Sequence, residues 1–281
     1  MKEYIIRTAT RDEVDLAVEW AAQEGWNPGL HDAECYYAAD PGGFLIGLLD
    51  GEPIAMVSST RYGDTFGFAG FYIVKPDYRG RGYGLQIAQA AMERLAGRNV
   101  GLDGVVEQQE NYKKSGFKPA YRNVRYEGKG GGPSPDQPNI VELSSLPFDI
   151  LATYERPFFP EPRDAFLKAW ISQSDSTALG IMDSGNLAGY GVIRACRTGH
   201  KIGPLYADSP VLAEILFHAL KSGVKESDSV YLDVPEPNHA AVEMAKRNGM
   251  TTVFETARMY SADDPVLPLQ RIFGVCSFEI G

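Results

Sequence analysis

The segment Asp77-Tyr78-Arg79-Gly80-Arg81-Gly82-Tyr83-Gly84 sits between a strand-like run, Phe66–Val74, and a helix-like run, Tyr83–Ala96. Glycines at alternate positions expose backbone N–H groups and let a ligand come close. The start of the helix adds partial positive charge. Arg79 and Arg81 add direct charge, so the segment has the makings of a pyrophosphate cradle. It is not a P-loop, which needs Gly-Lys-Ser/Thr, and it lacks the glycine spacing of a dinucleotide fingerprint. It does fit Arg-x-x-Gly-x-Gly through Arg79, Gly82 and Gly84. The plainer alternative is a tight strand-to-helix turn with solvated arginines.

Further along stands Asn111-Tyr112-Lys113-Lys114-Ser115-Gly116-Phe117. A phenol with a pKa near 10 can donate a proton to a departing thiolate of similar basicity. Taken alone, Tyr112 would more often be a core aromatic. A third segment, Glu24 to Asp32, offers Trp26, Asn27, His31 and two acids, with Tyr36 and Tyr37 following. Acids beside aromatics suit a cationic amine through ion pairing and cation–π contact, although an ordinary polar loop has the same composition.

The glycine loop, the Tyr-x-x-x-Gly-Phe element at Tyr112 and the order of elements between them resemble the GCN5-related N-acetyltransferases over roughly residues 3–127. The resemblance implies acetyl-CoA as co-substrate, no metal, and direct attack of an amine on the thioester. It implies that Arg79, Gly80, Arg81, Gly82, Tyr83 and Gly84 hold the pyrophosphate. Phe71, Tyr72, Ile73 and Val74 would line the pantetheine arm, with the Tyr72 or Ile73 N–H polarising the acyl carbonyl. Tyr112 would protonate the thiolate, and Trp26, Asn27 and Asp32 would wall the acceptor pocket. Two departures stand out. Val106 occupies the place where many members carry Asn, and Phe66–Val74 contains no acid to serve as base. A module that senses acyl-CoA or an amine without turnover is therefore the alternative to an enzyme.

These groups need a scaffold, and periodicity supplies one. Tyr4–Arg7 alternates as a strand. Arg11–Gln23 reads as a helix with Val14, Ala17, Val18 and Ala21 on one face, begun by a capping box at Thr10 and Glu13. Phe44–Leu49 and Pro53–Arg61 form a hairpin, Val100–Val106 a strand, Gln108–Ser115 a helix and Phe117–Tyr126 a last strand. The result is a mixed-sheet α/β fold.

The chain has 281 residues, which at about 100–200 residues per domain suggests two domains. Gly128–Pro138, GKGGGPSPDQP, is the seam between 1–127 and 139–281. The halves share landmarks: Gly51 and Gly185 lie 134 apart, Gly70 and Gly203 lie 133 apart, and so do Gly116 and Gly249. This points to tandem duplication of one fold. The second copy looks degenerate. Ala245 falls where Tyr112 would repeat, and Tyr206-Ala207-Asp208-Ser209-Pro210 replaces the glycine loop. Ser209 reads as an N-cap with Pro210 at the first helical position, and Asn238 reads as a second N-cap. The whole layout resembles a two-domain subgroup of the same family, and Ile272–Gly281 resembles that subgroup's C-terminal signature. An edge strand would explain this tail equally well.

With 27 basic and 37 acidic residues, the net charge is −10. No basic stripe exists for nucleic acid. Three separated cysteines, Cys35, Cys196 and Cys276, fit no disulfide framework or zinc site. No apolar run reaches the roughly 18 residues of a membrane span. The expected protein is cytoplasmic, a monomer or homodimer, and acts on a small-molecule amine.

Overall fold

The structure, a computed structural model, describes residues 3–281. The first half runs β1 (Tyr4–Thr8), α1 (Arg11–Gln23), α2 (Asp32–Ala39), β2 (Phe44–Leu49), β3 (Glu52–Tyr62), β4 (Phe66–Val74), α3 (Tyr83–Arg94), β5 (Asn99–Val105), α4 (Gln109–Lys114) and β6 (Lys118–Lys129). The second repeats the order as β7 (Ile140–Glu142), α5 (Phe148–Glu155), α6 (Asp164–Ser172), β8 (Ser176–Asp183), β9 (Asn186–Ala195), β10 (His200–Ala207), α7 (Pro210–Ser222), β11 (Ser229–Pro235), α8 (His239–Arg247) and β12 (Thr251–Tyr260), and then adds β13 (Ile272–Gly274). Among the described residues, no helix is long and apolar enough to cross a membrane.

Local chemistry sets these elements. The Thr10 hydroxyl accepts from the Glu13 N–H, while the Glu13 carboxylate accepts from the Thr10 N–H at 2.8 Å, which closes the capping box. Asp50 and Gly51 both have positive φ, 51° and 85°, and so do Ser184 and Gly185, 50° and 83°. Both hairpins therefore close on the left-handed two-residue turn that matches strand twist. Ser209 and Asn238 cap α7 and α8 as their side chains predict.

All strands join one thirteen-stranded sheet, ordered β1-β2-β3-β4-β5-β12-β6-β11-β10-β9-β8-β7, with β13 on β10. The halves exchange their closing strands. β12 of the second half lies against β5 of the first, β6 of the first lies against β11 of the second, and β6 and β12 pair with each other. β6 runs through Gly128 and Lys129, the first two residues of the Gly/Pro stretch, and pairs with β11 there; neither half completes a sheet alone.

In the first half one face of the sheet packs α3 and α4, through clusters that include Ile54, Val57, Ile87 and Ala91, and Leu95, Leu102 and Phe117. The other face packs α1, α2, α6 and the tail, through Val14, Tyr36, Phe71, Trp170, Cys276 and Ile280.

Candidate active site

β4 and β5 are parallel neighbours only from Phe66–Phe68 against Asn99–Gly101. Beyond Phe68 they diverge, leaving the β5-facing edge of β4 without a strand. At the same point β4 bulges. Its register on β3 slips between Met56 and Ser58, and Phe71 takes φ 46°. The extra residue keeps Phe71 in the core on the α2 face and turns Tyr72 onto the α3 face. Tyr72 is 38% exposed there, and its hydroxyl stands where a side chain on Gly84 would be.

The glycine loop ends on α3. Gly80 and Gly82 have φ 74° and 86°, and a Cβ on either would meet no atom within 4 Å. Their backbone is therefore open to a ligand at the positive end of α3. The two arginines differ. Arg79 donates from Nε to the Val74 carbonyl at 2.8 Å, and its Nη2 pairs with Glu24 at the end of α1. Arg79 thus staples the loop to β4 while its side chain stays 49% exposed. Arg81 lies 5.8 Å over the Tyr78 ring and is otherwise exposed. The Tyr83 ring packs 4.7 Å from Tyr4.

Tyr112 comes from the short helix α4. Its ring covers Gly104 of β5, where a Cβ would approach it to 2.9 Å, and it meets Phe117 edge-on at 6.3 Å. Its hydroxyl makes no hydrogen bond among the described residues. Burial pushes its pKa up to about 12, with Tyr72 adding to the effect. The phenol is held protonated at neutral pH on the side of the slot to which the bulge turns Tyr72.

The segment expected to wall an acceptor pocket docks on the second half instead. The Asn27 amide donates to the Thr198 carbonyl at 2.8 Å and accepts from its N–H. Asp32 is fully buried; its Oδ1 pairs with Arg194 at 2.8 Å, and its Oδ2 accepts from the Gly29 N–H and the Tyr36 hydroxyl. Both side chains are thus engaged by internal partners. Trp26 is half-buried, and its carbonyl accepts from Arg125 at 2.7 Å. His31 faces Asp175 at 2.9 Å on the surface.

The tail supplies what β4 lacks. Val275–Gly281 is buried, and the Glu279 carbonyl fills the space above Gly70. The Glu279 carboxylate accepts from Ser277 at 2.5 Å and from Tyr36 at 3.3 Å. The segment seated against β4 thus carries an acid, held by Ser277 and Tyr36 and brought from the far end of the chain. Sequence reading missed it because β4 and the tail are more than 200 residues apart.

The second half opens in the same way, since β10 and β11 pair only over His200–Ile202 and Val230–Leu232. Here β13 fills the opening: Leu205 and Tyr206 pair with it, and the Val275 N–H donates to the Asp233 carbonyl at 2.8 Å. The tail is therefore an edge strand over Ile272–Gly274 and an insert into the first half thereafter.

A sheet split twice, with a glycine loop on the following helix in the first half and a plugged opening in the second, defines a tandem acyltransferase of the GNAT type. Two family matches agree: "Acetyltransferase (GNAT) family" over residues 11–117 and "Acetyltransferase (GNAT) domain" over 151–274. The chain is 32% identical over 275 residues to the holothin acyltransferase of Pseudoalteromonas sp. (strain SANK 73390), covering 98% of this chain and 94% of that one. It belongs to the GNAT family of acyltransferases, as a two-domain member. A putative acetyltransferase from Pyrococcus horikoshii superposes with TM-score 0.83 at 25% identity, covering 99% and 96% of the two chains. A tandem GNAT protein from the clavulanic acid biosynthesis pathway shares the fold, with TM-score 0.64 at 12% identity over 94% and 100%. The family uses acyl-CoA as co-substrate, and the exposed glycine backbone at the start of α3 suits its pyrophosphate.

Proposed function

We propose that the protein is an acetyl-CoA-dependent N-acetyltransferase acting on the primary amine of a small molecule, with catalysis confined to the first half. The observation that carries this reading is the slot between β4 and β5, with Gly80 and Gly82 at one end and the protonated Tyr112 on its wall.

The loop amides would hold the pyrophosphate, and the unpaired edge of β4 at Phe71–Val74 would bind the pantetheine arm in the manner of an added strand. An N–H at Tyr72 or Ile73 would polarise the acyl carbonyl. The neutral amine attacks the carbonyl carbon and forms the C–N bond while the C–S bond breaks. Tyr112 gives its proton to the leaving sulfur, and the surplus proton on nitrogen passes to Glu279. No covalent enzyme intermediate is needed.

A thiol-release assay with acetyl-CoA and a panel of primary amines tests the proposal. Turnover with at least one amine is expected. Calorimetric binding of acetyl-CoA with no thiol release from any amine would mark a sensing module instead.

A further inference from the structure

We propose that Arg194 and Lys201 form a binding site for a small carboxylate and that the acyl acceptor is an amino acid. The first part stands on the site itself; the second also rests on the acyl-transfer reading above.

Arg194 on β9 and Lys201 on β10 are direct cross-strand partners, so their side chains leave the same face of the sheet side by side. Each is 1% exposed. Like charges opposed across a sheet repel, and burial removes the water that would screen them. Arg194 gives Nε to Asp32 and Nη1 to the Gly203 carbonyl and lies over the Trp170 ring, but its Nη2 has no hydrogen-bond partner among the described residues. Among the described residues the Lys201 Nζ has no hydrogen-bond partner either. Two adjacent buried cations therefore each keep a donor in reserve, an arrangement that calls for an anionic acceptor.

Two of the protein's own acids are spent elsewhere, and none hydrogen-bonds Lys201 among the described residues. Besides Arg194, the titratable groups acting on Lys201 are Arg125 from β6, Asp233 from β11, Glu279 from the tail, and the neutral Cys196 thiol just after β9. Asp233 gives both oxygens to Arg125, at 2.6 and 2.7 Å. Asp32 is spent on Arg194, Gly29 and Tyr36. Burial, with Arg125 adding to it, lowers the Lys201 pKa although Glu279 and Asp233 act the other way, as expected of a buried ammonium without a hydrogen-bond acceptor.

Charge balance narrows the ligand. Arg125, Arg194 and Lys201 are already matched by Asp32, Asp233 and Glu279, so the missing partner should add no net charge. An amino acid meets both demands: its carboxylate satisfies Lys201 and Arg194, and its amine faces Glu279. A continuous polar path joins the two ends. Arg194 bonds Asp32, the Tyr36 hydroxyl lies 3.1 Å from Asp32 and 3.3 Å from Glu279 and shares its one proton between them, and the Glu279 carbonyl abuts Gly70 on the slot strand.

The test uses the full chain in two arms. In chloride-free buffer, acetate should raise the melting temperature saturably, while its neutral isostere acetamide should not. Lys201→Met should remove the acetate response and leave the melting temperature unchanged or higher, because it deletes a buried ammonium without a hydrogen-bond partner; a purely structural lysine would lower it. In the second arm, thiol release is compared for pairs that differ only in the acid group, such as phenylalanine and phenethylamine or lysine and cadaverine. The acid-bearing member should show at least a tenfold lower KM, and Lys201→Met should bring that ratio near one. Equal effects of acetate and acetamide on the unmodified chain would overturn the site, a comparison that needs no variant to fold. An acetate response without any preference for acid-bearing amines would overturn the amino-acid assignment. Thiol release from no amine at all would count against the acyl-transfer reading, while the acetate arm still decides the site.

Discussion

The carbonyl oxygen of Glu279 occupies the space in which a side chain on Gly70 would have to stand. Gly70 immediately precedes the Phe71 bulge, so the tail of the second half is seated against the strand that opens the first half's slot. Backbone rather than a flexible side chain is the obstacle, which leaves little room for relaxation. Gly70→Ala should therefore destabilise the fold by about 1–3 kcal/mol or more and depress activity beyond what the stability loss explains. Urea unfolding alongside acyl-transfer assays under native conditions measures both.

Tyr112 offers the most direct catalytic test. Tyr112→Phe keeps the ring on Gly104 and removes the proton. The expected effect is a fall in kcat of about 10²-fold or more, with acetyl-CoA affinity nearly unchanged. A general acid works while protonated, and burial pushes the Tyr112 pKa up to about 12. Deprotonation of Tyr112 should therefore cause no alkaline loss of rate between pH 7 and 10, and kcat–pH profiles check this. Stability carries the same sign. Above about pH 10 the unfolded chain gives up this proton first, so the contribution is lost as pH rises through the folded value.

The exchanged strands make the halves one folding unit. Arg258 on β12 binds Asp103 on β5 through two hydrogen bonds, at 3.0 and 2.7 Å, with both side chains buried. Asp103→Ala strands a buried guanidinium and should cost about 3–5 kcal/mol. A fragment of residues 1–127 should fail to fold on its own, because β5 would lose its neighbour β12. Circular dichroism and amide dispersion of the fragment, set against a single unfolding transition of the full chain, decide the matter.

Gly82 starts α3 at φ 86° with open space around it. Gly82→Ala meets no steric clash but must adopt a left-handed backbone, at a cost of about 1–2 kcal/mol. Acetyl-CoA binding by calorimetry should weaken about tenfold as the loop relaxes away from that conformation, whereas Arg79→Ala should act chiefly through thermal stability.

The thiols of Cys35, Cys196 and Cys276 are all buried and free. Burial pushes those of Cys35 and Cys276 up to about 12 and also raises that of Cys196. A disulfide-exchange reagent should therefore label none of them in the native protein and all three after denaturation. Any rapid labelling of the native chain would contradict the burial of the tail.

Much of the fold was legible because its signals are local. The Thr10–Glu13 box, the Asp50–Gly51 and Ser184–Gly185 turns, and the Ser209 and Asn238 caps each involve residues one to three positions apart, and the structure holds all of them. Local spacing likewise pointed to the glycine loop and to Tyr112, and the fixed offset between the halves pointed to duplication. Other features could not be read this way. Asp32 looked like a pocket acid until its partner Arg194, 162 residues away, reached it. Arg194 and Lys201 show in the sequence only as charges inside otherwise apolar strands. The strand exchange, the β4 bulge, the plug in the second slot and the arrival of Glu279 beside Gly70 all join segments distant in the chain. Periodicity constrains which face a residue lies on and what turn follows it. Which distant group then satisfies a buried charge or fills a gap is decided only when the sheet closes and every polar atom must find its partner.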